Sequence, residues 1–293
     1  MLETVPHNIE ITSEEIESWH PLICLPCYDR QVTEPFFMST VKAAVAFKEI
    51  GMKFGISTLS DSLISRARNQ LVAKFMANKN FTHLLFIDVD LGYNYEDILK
   101  MLWHDKEIMT GAYPIKEIVW DKVVQLVKSD CEKDKIAEKS TRFVINAASS
   151  SNDKVNVDNG AISIYDAGTG FMLIKRSVFE KMFEAYPELK YKDDTGTLVG
   201  EERDNAYALF NSYVDDDGRF LSEDYGFGRY WQKIGGQVWV DPSIELTHLG
   251  RYEYKGKLID WIVDNATLDI KVDPVNQKNK TKSTQKTKKS QGK

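Results

Sequence analysis

Two carboxylates one residue apart, Asp88 and Asp90, offer the clearest chemistry in this chain. They follow a short apolar run, residues 84–87, which is typical of a strand that is buried on both faces. A carboxylate is costly to place at the end of a buried strand unless a partner neutralises it. A hard divalent cation that carries a diphosphate is a suitable partner. The alternative is a pair of solvated turn carboxylates before a helix, where acidic residues are favourable in any case.

Three further polar features follow along the chain, each at the end of a predicted element. The glycines of Gly168-Thr169-Gly170 would let backbone approach a bound sugar, although an ordinary tight turn has the same composition. The acidic pair Glu223 and Asp224 could supply a general base, or could simply cap a helix that begins near Ser222. His248 could ligate a metal, because neutral imidazole suits Mn²⁺ better than Ca²⁺, but a lone histidine is more often structural.

Strand and helix patterns alternate through the first part of the chain. This order predicts an α/β fold with a mostly parallel sheet and helices on both faces, in which ligands bind beyond the carboxyl ends of the strands. The predicted strands are 21–27, 53–58, 83–87, 107–112, 171–174, 237–240 and a last extended piece at 244–249. The predicted helices are 37–50, 61–78, 95–103, 177–185 and 223–234.

The remaining segments have weaker patterns. Residues 1–18 are expected to be a loosely ordered lead-in to a domain over 19–270, and the polar stretch 187–218 is expected to be a mobile loop. An insertion at about 120–160 is expected to hold short strands at 123–127, 143–147 and 161–165. The tail, 271–293, is expected to be disordered because it has almost no apolar content.

Charge and composition narrow the class of protein. The chain of 293 residues has a net charge of −6, and its tail carries eight lysines and one aspartate, so the remainder carries −13. Such an acidic body is not expected to bind nucleic acid, and it needs a cation to hold a phosphate substrate. Three cysteines fit a reducing compartment, and Cys24 and Cys27 are expected to be structural rather than a redox pair. With no signal peptide or membrane-spanning run visible, a soluble, cytoplasmic protein is expected.

Together, the D-x-D at Asp88-Val89-Asp90, the Gly-rich loop, the x-E-D ending at Asp224 and the C-terminal His248 resemble the core pattern of GT-A-fold glycosyltransferases. The resemblance covers roughly residues 20 to 250, and stretches 65–69 and 111–116 support it. It implies that Mn²⁺ or Mg²⁺ is bound by Asp90 and His248, with Asp88 as a ribose-side contact and further candidate ligand. It also implies contacts to a nucleotide diphosphate sugar from Tyr28, Asp29, Ser65, Arg66, Arg68, Asn69, Asp88, Val89, Tyr113, Lys116, Gly168, Thr169 and Gly170.

The resemblance implies a metal-dependent hexosyltransferase that moves a sugar to a hydroxyl of a glycan, protein or other acceptor. Inversion with Asp224 as the base and Glu223 as its neighbour is expected. A haloacid-dehalogenase-like phosphatase is an alternative, but that family usually follows its D-x-D with a small residue and a hydroxyl residue, whereas Leu91-Gly92 stands here. A non-catalytic sugar- or nucleotide-binding module is the third possibility.

Overall fold

An eight-stranded sheet forms the centre of the computed structural model, which describes residues 9–143, 145–146 and 155–252. The expectations for the start of the lead-in, for part of the insertion and for the basic tail lie outside these described residues. The helices are α1 (Ser13–Ser18), α2 (Glu34–Glu49), α3 (Ile64–Ala77), α4 (Tyr95–Trp103), α5 (Trp120–Lys128), α6 (Lys133–Lys139), α7 (Arg176–Ala185) and α8 (Glu223–Lys233).

The strands are short, and several of them lie outside the central sheet. In chain order they are β1 (Pro21–Pro26), β2 (Gly55–Leu59), β3 (His83–Ile87), β4 (Leu91–Gly92), β5 (Ile108–Thr110), β6 (Ile145–Asn146), β7 (Val157–Asp158), β8 (Ala161–Ile164), β9 (Asp166–Ala167), β10 (Phe171–Lys175), β11 (Tyr213–Val214), β12 (Phe220–Leu221), β13 (Val238–Val240) and β14 (Thr247–His248).

The central sheet has the order β2-β1-β3-β10-β5-β13-β8-β7. Its pairings give six strands one direction, while β10 and β8 run the opposite way. The expected α/β fold with a mostly parallel sheet is therefore confirmed. Outside this sheet, β4 pairs with β14, so the chain just after Asp90 is joined to the strand that carries His248.

Helices cover both faces of the sheet, and successive residues of β1 face opposite layers. Leu22 and Cys24 belong to the layer that packs with α3, α7 and α8, and Ile23 and Leu25 belong to the layer that packs with α2 and α4. Every residue of β3 is buried. This two-sided burial explains why the strand before Asp88 is an unbroken apolar run, as its sequence predicted.

Several predicted elements are confirmed, including β3 and α4 with the expected bounds. The strand predicted over 123–127 is wrong, because these residues belong to α5. Their apolar side chains recur at intervals of three and four residues, which is a helical period rather than the alternation of a strand. The strand expected over 143–147 is present in part as β6, and the strand at 161–165 is present as β8.

Two polar segments are better ordered than their sequences predicted. The lead-in contains α1, which begins with a capping box in which Thr12 and Glu15 each bond the other's backbone N–H. The stretch 187–218 is held against α3, where Gln70 bonds Asp193 and Lys74 pairs with Glu202. A mobile surface loop is therefore not what the structure shows. No helix within the described residues has both the length and the apolar character needed to cross a membrane.

Candidate active site at the carboxyl end of the central sheet

A buried guanidinium joins the first carboxylate of the D-x-D to the acidic pair of α8. Nη2 of Arg68 donates a hydrogen bond of 2.9 Å to Oδ1 of Asp88, and Nε of Arg68 lies 3.5 Å from Oε1 of Glu223. The guanidinium also lies over the ring of Phe86. An isolated charge would be costly at this depth, so the two carboxylates are what allow Arg68 to be buried.

The acidic pair lies at the first turn of α8, where the positive end of the helix dipole favours carboxylates. Burial raises the pKa of Glu223, the adjacent Asp224 raises it further, and Arg68 partly opposes both effects. Ser222 is the N-cap residue as expected, but its hydroxyl donates to Oδ1 of Asp224 rather than to the helix backbone. The backbone N–H of Tyr225 donates to the same oxygen at 2.8 Å, so this carboxylate is fixed at the start of the helix.

The second carboxylate of the D-x-D contacts different partners. Nζ of Lys116 donates to Oδ2 of Asp90, and Nε2 of His248 lies 3.5 Å from the same oxygen. Burial opposes ionisation of Asp90, but the contacts with His248 and Lys116 outweigh it and lower its pKa to about 2. The backbone N–H of Leu249 donates to the carbonyl of Asp90, which fixes the register between the two segments.

The hydrogen bonds of His248 define which ring nitrogen can bind a metal. Nδ1 lies 2.7 Å from the carbonyl oxygen of Pro114, which can only accept, so Nδ1 carries the proton. The bond to Pro114 occupies Nδ1, so Nε2, which faces Asp90, is the ring nitrogen that can bind a metal, as in many metal-ligating histidines. One carboxylate and one imidazole suit Mn²⁺ better than Mg²⁺, which prefers oxygen ligands, and the remaining ligands are left to substrate and water.

The described residues do not by themselves bring together a full set of metal ligands. Within the described part of the chain, no three His, Cys, Asp or Glu side chains gather into a metal-binding group. Asp88, expected as a further candidate ligand, pairs with Arg68 through Oδ1, and its role as a ligand stays a prediction. The donor set at Asp90 and His248 thus fits a cation that is shared with a bound diphosphate.

Gly170 allows two side chains of the site to approach the loop. A Cβ on Gly170 would lie 2.8 Å from both Oδ2 of Asp88 and the ring of Tyr113. The N–H of Gly170 points at the hydroxyl of Tyr113, and Tyr113 packs edge-on against His248. The absence of a side chain therefore serves the packing between Asp88 and Tyr113. The expected contact between the backbone of Gly170 and a bound sugar stays a prediction.

Other residues predicted to contact the nucleotide sugar have different surroundings. Tyr28 is 69% exposed just after β1, beside Asp29, whose backbone has a positive φ of 61°. Arg66 is held at the start of α3 by two hydrogen bonds to Asp61, of 2.6 and 2.7 Å. Asn69 is buried and exchanges two hydrogen bonds with the backbone of Phe210. Asn69 therefore holds residue 210 against α3.

Four further residues were predicted to contact the nucleotide sugar: Ser65, Val89, Gly168 and Thr169. The carbonyl of Val89 accepts hydrogen bonds from the N–H and hydroxyl of Thr33, at 3.0 and 3.1 Å. Gly168 and Thr169 are buried, and the hydroxyl of Thr169 has no hydrogen-bond partner among the described residues. Ser65 is half-buried on the first turn of α3. These positions shape the loop and strand ends around the D-x-D.

A second buried carboxylate behind the Gly-rich loop is missing from the sequence-based prediction. Asp166 in β9 lies 2.6 Å from Nη2 of Arg229 and accepts hydrogen bonds from Arg219 at 3.1 Å and Asn146 at 2.9 Å. It therefore joins α8, the insertion strand β6 and the β11–β12 hairpin to the loop. An aspartate within a short run that is otherwise small and apolar is the signal that could have indicated it.

No protein-family model matches this chain, and no curated protein matches it. Among solved structures, the A197 protein from STIV has 12% identity and a TM-score of 0.43, with 80% of this chain and 86% of that chain covered. A Drosophila beta-1,4-galactosyltransferase 7 mutant in complex with manganese, UDP-Gal and xylobiose has 12% identity and a TM-score of 0.39, covering 83% and 79%. Mouse xyloside xylosyltransferase 1 has 11% identity and a TM-score of 0.31, covering 74% and 81%. Similarity at this low level does not assign an activity, which has to be inferred from this chain's own residues.

Proposed function

We propose that this protein is a metal-dependent glycosyltransferase of GT-A type that transfers a sugar from a nucleotide diphosphate sugar to an acceptor hydroxyl. One observation carries the proposal. Four separated stretches of sequence meet at one edge of the sheet, because Arg68 joins Asp88 to Glu223 while Asp90 faces His248. The carboxylates after β3 could therefore act on the sugar donor, and those at the start of α8 could act on the acceptor of the same reaction.

On the donor side, Asp90 and His248 would hold Mn²⁺ or Mg²⁺. When bound, the ion supplies neutralisation of the negative charge that grows on the departing diphosphate. The low pKa of Asp90 keeps its carboxylate ionised, and the bond from Nδ1 of His248 to Pro114 keeps the opposite nitrogen free to bind. Lys116 lies on the same carboxylate and would provide a second positive charge for the diphosphate.

On the acceptor side, Asp224 would accept the proton of the attacking hydroxyl, with inversion at the sugar carbon. Ser222 and the N–H of Tyr225 hold the Oδ1 atom of Asp224, which leaves its other oxygen for a substrate. Glu223, held by Arg68, would contact a hydroxyl of the donor or acceptor.

The nucleotide would lie beyond the ends of β1 and β2, where ligands of such sheets bind. The exposed ring of Tyr28 would stack on the base, and Asp29 would bond the ribose together with Asp88. The acceptor would be chosen by residues 187–218 and by the insertion that contains α5 and α6.

Nucleotide release tests the proposal directly. The protein is incubated with Mn²⁺ and a panel of UDP-, GDP- and dTDP-sugars, and free nucleotide is measured with and without a chelator. We expect slow release with one donor class, loss of release with chelator, and loss in Asp90→Asn, which keeps the shape of the side chain but removes its charge. Glu180→Gln on α7 is the matched control, because it removes an exposed carboxylate from the helix after β10, and β10 runs antiparallel to β3 and ends at the opposite edge of the sheet.

Two outcomes would contradict the proposal. Cleavage of simple phosphate monoesters without use of any nucleotide sugar would indicate a phosphatase. Tight binding of a nucleotide sugar with no release over long incubation, with or without added hydroxyl acceptors, would indicate a binding module. Release that survives in Asp90→Asn would overturn the metal-binding role of this residue.

A further inference from the structure

Helix α2 is apolar on two opposite faces. Phe36, Ala43 and Phe47 are buried against the sheet, as expected for a helix that covers it. On the other side, Phe37, Val41 and Val45 are 54%, 42% and 54% exposed. Their spacing of four residues places them in one row along the helix, where charged side chains normally face water. The described residues of the chain leave this row accessible, so a helix with two apolar faces has only one of them covered.

Charged residues end the row on both sides, with opposite signs. Glu34 lies one turn before Phe37, and Lys48 lies one turn after Val45, both exposed and on the same side of the helix. An antiparallel copy of the helix, centred on Val41, would place Phe37 against Val45 and Glu34 against Lys48. The row is therefore complementary to itself under a two-fold rotation, in both its apolar and its charged positions.

We propose that a second copy of this chain docks on α2, forming an antiparallel helix pair across a two-fold axis at Val41. A two-fold axis makes the same surface serve both partners, so each contact occurs twice. A single helix row is small compared with obligate interfaces, which implies a reversible dimer. The proposal does not depend on the enzymatic activity, because it rests only on the exposed face of α2.

Sedimentation velocity on the full chain over a wide range of protein concentration tests the proposal. We expect the mass to rise from monomer towards dimer with concentration, and Val41→Asp to remain monomeric because two carboxylates would meet at the axis. Val124→Asp on α5 is the matched control. It introduces the same charge at a valine that is 51% exposed, and it should dimerise like the unmodified chain. Circular dichroism and thermal unfolding confirm that each variant is folded.

A charge exchange distinguishes this dimer from any other use of the apolar row. Glu34→Lys alone and Lys48→Glu alone should each weaken dimerisation by about tenfold, because each places like charges together twice per dimer. The double variant Glu34→Lys with Lys48→Glu should restore it. A chain that is monomeric at all concentrations, as it would be if its own residues 253–293 covered the row, overturns the proposal. A dimer that survives Val41→Asp, or a double variant no better than the single ones, also overturns it.

Discussion

Nη2 of Arg68 donates a hydrogen bond of 2.9 Å to Oδ1 of Asp88, which joins helix α3 to the end of β3. The same guanidinium lies 3.5 Å from Glu223 on α8. Arg68 is almost completely buried, so its charge is balanced by these two carboxylates rather than by water. The consequence is a fixed spacing between Asp88, at the end of β3, and Glu223, at the start of α8.

Replacing Arg68 by methionine should destabilise the protein. The substitution keeps much of the buried volume but leaves Asp88 and Glu223 without their partner, which costs about 1–3 kcal/mol for a group left unsatisfied. The free energy of unfolding in urea measures this. Arg142→Met is the control, because Arg142 also pairs with a carboxylate, that of Glu117, but both side chains are at least half exposed, and it should cost about 1 kcal/mol or less. Equal losses in the two variants would contradict the role of burial.

Local sequence patterns were sufficient to predict a strand or helix where burial alone determines which residues it contains. The apolar run within 83–87 predicted β3, because a strand that is buried on both faces needs apolar side chains at successive positions. The periodic apolar residues of 95–103 predicted α4 in the same way. The position of Asp88 and Asp90 beyond a strand end followed from β3 alone.

Features that depend on distant partners could not be predicted. An arginine is normally exposed, and Arg68 is buried only because Asp88 and Glu223 arrive from elsewhere in the sequence. The same holds for Asn69, whose amide bonds the backbone of Phe210.

Gly170→Ala should damage the site and cost stability. The added Cβ would lie 2.8 Å from Oδ2 of Asp88 and from the ring of Tyr113, so one of them must move. We expect nucleotide release to fall about tenfold or more and the free energy of unfolding to fall by about 1–3 kcal/mol. Gly228→Ala in α8 is the control, because a Cβ there meets nothing within 4 Å, and it should stabilise by up to about 1 kcal/mol. Unchanged release in Gly170→Ala would contradict the packing argument.

His83 should make stability depend on pH. Burial, with a smaller effect of Lys175, lowers the pKa of His83 from 6.5 to about 4. As the pH falls from 6.5 towards 4, the unfolded chain takes up a proton that the folded protein does not. Stability is therefore lost over this window and is fully present above it. Urea unfolding of the unmodified chain and His83→Gln at several pH values measures the effect, and the variant should lose less stability. Parallel curves would refute the assignment.

Lys116 should weaken metal binding, because its Nζ lies on the Oδ2 atom of Asp90 that a cation would bind. Removing this charge in Lys116→Met leaves Asp90 and His248 free for Mn²⁺. We expect the affinity for Mn²⁺ in the absence of donor to rise about two- to fivefold, the equivalent of an ion pair worth up to about 1 kcal/mol. Electron paramagnetic resonance of free Mn²⁺ measures it, with Lys122→Met on α5 as the control that changes the same net charge. Donor affinity should fall in Lys116→Met, since under the proposed function the lysine would also contact the diphosphate of the donor. An affinity for Mn²⁺ that is unchanged or weaker would show that the metal does not compete with Lys116 for Asp90.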